Sequence, residues 1–103
     1  MEKLKEYKMF IGGEWVDSNT KRTFKTLNPE NNKPWAKVPE ASAEDVDKAV
    51  KAAHKAFEGE WSKLLPRDRA KYLRLIGQKL RENSKMLGEI ETIDTGKLFR
   101  ETN

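Results

Sequence analysis

The hydrophobic pattern of the chain changes near residue 42. Before that point, apolar and β-branched residues form short runs separated by turn-forming residues, which is typical of β-strands. After it, apolar residues recur every three or four positions, which is typical of amphipathic helices. The sequence therefore predicts an α+β arrangement, with short β-hairpins over residues 9–41 followed by helices over residues 42–97.

Two hairpins are predicted in the first part. Gly12 and Gly13 separate two short apolar runs, and a Gly-Gly pair suits a two-residue loop because both positions can take positive φ. Residues 23–27 and 35–38 are a second pair of strands around a loop rich in Asn and Pro. The segments outside these elements are a charged tail at residues 1–8 and a terminal stretch at residues 98–103.

Three helices are predicted after the hairpins. They cover residues 42–58, 66–82 and 84–95. Ser42 followed by Asp45 is a capping-box pattern, and Gly59 suits the end of the first helix. Pro66 suits the first position of the second helix, and Gly96 the end of the third.

Each predicted helix is apolar on one side only. The stripes are Val46, Ala49, Val50, Ala53 and Phe57, then Ala70, Leu73, Ile76, Gly77 and Leu80, then Leu87, Ile90 and Ile93. The tryptophans Trp15, Trp35 and Trp61 are predicted to fill a core. Because such stripes need another layer to cover them, the helices suit the outside of a larger structure.

Composition narrows the class of protein. The 103 residues are 36% hydrophobic and 37% charged, so few apolar residues are available to form the core of a domain that folds alone. The absence of cysteine excludes disulfides, thiolate metal sites and a cysteine nucleophile on this chain. No apolar run reaches the roughly 20 residues of a membrane span, and the charged start is unlike a signal peptide, so a cytoplasmic location is predicted.

Basic residues are concentrated in one segment and raise the question of nucleic acid. The net charge is +4, and this segment holds Lys63, Arg67, Arg69, Lys71, Arg74, Lys79 and Arg81. Such a stripe can neutralise phosphates. A solvated helix face is the simpler interpretation, because acidic residues offset most of the charge and no RNA-binding aromatic motif or zinc spacing is present.

The residues offer few candidates for chemistry. His54, the single histidine, has no visible catalytic partner and is interpreted as a structural or surface residue. Asp94 lies in the last turn of the third helix, where the helix dipole disfavours an anion. Either a cation or donor compensates its charge, or it bonds locally to Thr95 or the turn. Neither Gly12-Gly13 nor Gly96-Lys97 forms a phosphate-binding motif, so no catalytic or cofactor-binding residue is predicted.

The order of several short motifs strongly resembles the N-terminal region of NAD(P)-dependent aldehyde dehydrogenases. The resemblance extends over roughly residues 9–102. It is carried by Phe10-Ile11-Gly12-Gly13-Glu14-Trp15-Val16, Asn28-Pro29, the helix from Glu44 to Ala53 with Ala56-Phe57, Trp61, Pro66, Arg69, and Glu91-Thr92-Ile93-Asp94-Thr95-Gly96-Lys97.

The resemblance implies that residues 1–103 are an N-terminal fragment belonging to a Rossmann-like cofactor domain. The parent enzyme would oxidise an aldehyde to a carboxylic acid through a cysteine thioester, with NAD or NADP accepting the hydride. The fragment would be inert, with the rest of the enzyme as its partner and homo-oligomers or self-association expected. The family also implies a monovalent or divalent cation held by the Leu27 carbonyl and the Asp94 carboxylate.

Two other functions remain open from the residues alone. One is a non-catalytic α+β interaction module, which would be stable without a missing partner. The other is a basic-helix nucleic-acid binder, which would show a steep dependence of binding on salt. A membrane partner is not expected.

Overall fold

The computed structural model describes residues 4–98, so the predicted tail at 1–8 and the terminal stretch at 98–103 lie partly outside the described residues. The chain divides into two compact units. The first comprises Met1–Leu27 and Pro34–Ser62, and the second comprises Asn28–Lys33 and Lys63–Asn103. The elements in chain order are β1 (Lys5–Glu6), β2 (Met9–Ile11), β3 (Glu14–Val16), β4 (Thr23–Asn28), β5 (Lys33–Pro39), α1 (Ala43–Glu58), α2 (Glu60–Lys63), α3 (Pro66–Glu82) and α4 (Ser84–Thr95).

The first predicted hairpin is confirmed. Strands β2 and β3 pair antiparallel, with Phe10 opposite Trp15 and their ring centroids 4.8 Å apart. Gly12 has φ 61° and Gly13 has φ 83°. Both glycines therefore take the left-handed conformation that a two-residue hairpin loop requires.

The remaining strands form a three-stranded sheet in the order β1-β5-β4. Strand β1 runs parallel to β5, with Lys5 opposite Ala36, and the Tyr7 N–H donates to the Lys37 carbonyl at 3.1 Å. Residues 1–8 were expected to be only a charged tail, so this strand is an addition to the prediction. Its two side chains are exposed and its pairing uses backbone groups, so no apolar alternation marks it.

The three predicted helices are confirmed, with the same boundaries for α3 and α4 and a start one residue later, at Ala43, for α1. Ser42 caps α1, and Gly59 ends it with its N–H bonded to the Ala56 carbonyl. At the start of α3 the Asp68 carboxylate accepts from the Leu65 N–H at 3.3 Å. Capping groups of this kind satisfy donors that the first turn of a helix leaves without partners.

One short helix was not predicted. Helix α2 is a single turn in which the Ser62 hydroxyl donates to the Gly59 carbonyl at 2.8 Å. The Ser62 N–H donates to the same carbonyl at 3.2 Å. Four residues are too few to show a helical period, so the sequence pattern could not reveal this turn.

In the second unit, the loop between β4 and β5 packs against the end of α4. The loop closes through the Asn32 N–H, which donates to the Asn28 carbonyl at 2.7 Å. Gly96 has φ 75°, and a Cβ added there would lie 3.0 Å from Cγ of Pro29. Gly96 is therefore required both for its left-handed conformation and for the close approach of the proline ring.

The described residues bury very little apolar surface. Ala36 is the one apolar side chain of residues 4–98 that is buried. The helix stripes are largely exposed, as at Val50, Phe57 and Leu73. The prediction that the tryptophans fill a core is wrong for Trp15, which is 69% exposed, and for Trp61, which is 40% exposed.

Candidate functional site

The groups that usually perform catalysis are scarce. The chain has no cysteine. His54 is an exposed residue of α1, and its Nε2 lies 3.0 Å from Oε1 of Glu58 one turn later, which agrees with the surface role predicted for it. Within residues 4–98, no three His, Cys, Asp or Glu side chains come together in a way that could hold a metal ion.

The glycines do not build a site for a dinucleotide. A phosphate cradle places a glycine-rich loop between a strand and the start of a helix. Gly12 and Gly13 instead join two strands of a hairpin, and Gly96 follows the end of a helix. These glycines of the described residues therefore do not form a cradle for the phosphates of NAD or NADP.

Asp45 is the buried acid of the first unit, with 4% of its surface exposed. Its Oδ2 accepts from the Ser42 N–H at 2.9 Å and from the Ser42 hydroxyl at 3.0 Å. Its Oδ1 accepts from the Asn19 N–H at 3.1 Å, and the Asn19 side chain donates to Glu44 at 2.6 Å. One carboxylate therefore holds both the first turn of α1 and the segment that follows the hairpin.

These bonds change the acidity of Asp45. The hydrogen bond from the Ser42 N–H lowers its pKa below the ordinary value of 3.8. Burial acts in the opposite direction, and the Ser42 hydroxyl, the Asn19 N–H and Lys48 lower the pKa further. A perturbed carboxylate can indicate an active site, but here every hydrogen-bonding partner is a cap or a loop backbone group, so the shift reflects a structural role.

The two predicted cation ligands lie in different units. Leu27 is the penultimate residue of β4 in the first unit. Asp94 lies in the last turn of α4 in the second unit, where it is exposed and has its own interactions. Beside it, the Thr95 hydroxyl donates to the Glu91 carbonyl at 2.7 Å. The cation site therefore stays a prediction.

An open apolar groove lies between the hairpin loop and α1. Its volume is about 920 Å³, and its walls include Phe10, Trp61 and several alanines of α1. A Cβ added at Gly12 would lie 3.9 Å from Cβ of Ala52, so small residues allow the loop to approach the helix. The lining offers few polar groups, so the groove suits packing rather than chemistry.

Comparison with known proteins identifies the family. The sequence profile described as "Aldehyde dehydrogenase family" matches residues 15–103. The chain belongs to the aldehyde dehydrogenase family. The resemblance predicted from the short motifs is therefore confirmed over most of the chain.

Individual aldehyde dehydrogenases are similar in both sequence and fold. An aldehyde dehydrogenase of Aspergillus niger is 43% identical over 89 residues, which are 86% of this chain and 18% of that protein. The solved structure of betaine aldehyde dehydrogenase from Staphylococcus aureus in complex with NAD+ has a TM-score of 0.89 at 41% identity, covering 92% of this chain and 19% of that one. An aldehyde dehydrogenase from Bacillus cereus has a TM-score of 0.90 at 39% identity, covering 94% and 20%.

The chain therefore spans about a fifth of the length of these aldehyde dehydrogenases. The α+β architecture predicted for this segment agrees with their fold. Among the helices of residues 4–98, none has the length and apolar character needed to cross a membrane.

Replacing Asp45 tests its structural role. Asp45→Asn keeps the shape of the side chain but removes the charge that accepts bonds from Ser42 and Asn19, so the melting temperature at neutral pH should fall. Asp47→Asn is the control, because Asp47 is exposed and its ion pair within residues 4–98 is with Lys51 on the same helix.

The pH dependence gives a second measure of Asp45. Its pKa is lower in the folded chain than in the unfolded chain, so its stabilisation is complete above the unfolded pKa near 3.8. The stabilisation is lost as the pH falls through the lower, folded pKa. In thermal unfolding followed by circular dichroism, the gap between wild type and Asp45→Asn should therefore close in acid. A gap independent of pH would contradict the role of the charge.

Proposed function

We propose that this chain is the N-terminal segment of an enzyme that oxidises an aldehyde to a carboxylic acid with NAD or NADP as hydride acceptor. The observation that carries the proposal is the family match over residues 15–103. The NAD+ complex of the similar Staphylococcus aureus enzyme supports a nicotinamide cofactor. A cytoplasmic location belongs to the same proposal.

The chemistry of the proposed reaction lies outside this segment. The reaction implied by the family resemblance needs a cysteine thiol to form the thioester, and the 103 residues contain none. A nicotinamide cofactor supplies the hydride acceptor, and the described residues do not form its cradle. The proposal therefore requires that these residues act together with further residues of the enzyme.

The role we assign to this segment is to cover part of the cofactor domain. Val50 and Phe57 of α1 are 61% and 69% exposed, and Leu73 of α3 is 65% exposed. Burying one large apolar side chain stabilises a protein by about 1.5–3 kcal/mol, so these stripes are strong candidates for contact with a neighbouring layer. In the complete enzyme that layer is supplied by the rest of the chain.

The cation site is part of the proposal. It rests on the family resemblance, which assigns a ligand carbonyl to Leu27 and a ligand carboxylate to Asp94. Carboxylate and carbonyl oxygens are the ligands that hard cations prefer. The exposure of Asp94 leaves its carboxylate accessible to an ion.

Activity should require the complete enzyme. The full-length protein is expected to reduce NAD or NADP when an aldehyde is added, as measured by the absorbance of the reduced cofactor. The isolated 103-residue chain should show no absorbance change and no saturable binding of NAD. Turnover by the isolated chain would contradict the assignment, because it has no nucleophile.

The isolated chain should associate with itself or unfold easily, since its apolar stripes are uncovered. Sedimentation and thermal unfolding at several concentrations test this. Leu73→Gln with Leu80→Gln should weaken association, whereas Lys71→Gln with Arg74→Gln on the basic side of α3 should not. A monomer with a sharp, concentration-independent transition above about 65 °C would show that the segment is self-sufficient.

The cation prediction can be tested in the complete enzyme. Crystals containing rubidium should show anomalous density in contact with the Leu27 carbonyl and the Asp94 carboxylate. Asp94→Asn should remove any increase in melting temperature caused by the cation, and Glu91→Gln, one turn earlier on α4, should keep it. Density elsewhere, or an unchanged effect in Asp94→Asn, would rule out this site.

A further inference from the structure

One side of α3 carries a row of four cations. Arg67, Lys71, Arg74 and Arg81 are spaced by four, three and seven residues, which places them along one side of an α-helix. All four side chains are exposed. At 1.5 Å per residue the row is about 21 Å long. We call these four residues the basic row.

The basic row is not neutralised by neighbouring acids. The ion pair of α3 joins Lys79 to Glu82 at 3.3 Å, and Gln78 also donates to Glu82 at 3.1 Å. Within residues 4–98, no side chain of the basic row forms an ion pair or hydrogen bond. An acidic partner would offset the positive potential of a cation. Since the basic row has no such partner within residues 4–98, its positive potential is retained.

The basic row and the apolar stripe of α3 lie on different sides of the helix. Leu73, Ile76 and Leu80 point roughly 140° away from the row, given 3.6 residues per turn. A layer that covers the apolar stripe would therefore not, by that contact alone, cover the row. The surface is consistent with the proposed enzyme but is not required by its reaction.

We propose that the basic row binds the phosphate backbone of nucleic acid without reading its sequence. Three of its four cations are arginines, whose planar guanidinium groups match the geometry of phosphate oxygens. Lys71, Arg74 and Arg81, with Leu75 and Gln78, line a shallow groove of about 420 Å³ that a phosphate strand can follow. The row contains no aromatic side chain, so it offers no platform for stacking bases.

The geometry favours a linear polyanion over a lipid surface. A helix that binds a membrane interface inserts its apolar side while its basic side contacts the headgroups at the boundary. In α3 the apolar side is the one that we assign to the covering layer of the complete enzyme, so it would not be available to enter a bilayer. A row of charges along a helix instead suits a row of phosphates.

Fluorescence anisotropy of a labelled 20-base-pair DNA duplex of mixed sequence tests the proposal. The protein is the full-length enzyme in saturating NAD+, so that binding through a cofactor site is excluded. Four phosphate contacts predict that log K falls with log salt concentration with a slope of about −3.6. The triple variant Arg67→Gln, Arg74→Gln and Arg81→Gln should bind at least tenfold more weakly at about 50 mM salt, and each lost contact should reduce the slope by about 1.

The matched control removes the same charge elsewhere. Lys25→Gln, Lys48→Gln and Lys55→Gln alter exposed lysines of the first unit and should leave affinity within about twofold. Circular dichroism shows whether each variant is folded, and single variants of the row replace the triple variant if it is not. Equal losses in the two triple variants, no binding at low salt, or stronger binding to phosphatidylserine vesicles than to the duplex would overturn the proposal. Aldehyde oxidation is measured separately and does not depend on the row.

Discussion

Helices with one apolar stripe depend on a second layer, and this requirement governs the rest of the structure. The described residues bury one apolar side chain, Ala36, while the stripes of α1 and α3 remain largely in solvent and the stripe of α4 is partly exposed. The conformational entropy lost on folding is usually offset by such burial. The elements are therefore defined mainly by local interactions, and the missing burial must come from contacts outside these residues.

Local interactions were also what the sequence predicted best. Ser42 and Asp45 form the expected capping box, Gly12 and Gly13 take the positive φ of a hairpin loop, and Gly96 is left-handed at the end of α4. Each of these features depends on a few neighbouring residues and on the stereochemistry of their types. Strand β1 depends instead on backbone pairing with a partner about thirty residues away, and α2 is a single turn, so neither leaves a pattern in the sequence.

The exposed fraction of a side chain was harder to predict than the secondary structure. Trp15 was predicted to fill a core, and it is 69% exposed. Leu73 was predicted to belong to a stripe that needs a covering layer, and within the described residues it is 65% exposed. Their actual exposure follows from how much of the fold surrounds them, which a helical period cannot report. The same limit applies to the candidate site. The pairing of Leu27 with Asp94 came from the family resemblance and not from any local pattern.

Helix α3 shows how one element can satisfy two separate demands. We assign Leu73 and Leu80 on its apolar side to contact with a covering layer, so the residues on that side have to stay apolar. The basic row faces away from it, so packing places little constraint on which polar residues occupy those positions. A side of a helix that only has to face solvent can carry any mixture of charged residues. Acidic residues one turn away from the cations would lower the repulsion between them. Within residues 4–98 the four cations form no ion pair with an acid, so they retain that repulsion, and an anionic ligand along the row would relieve it.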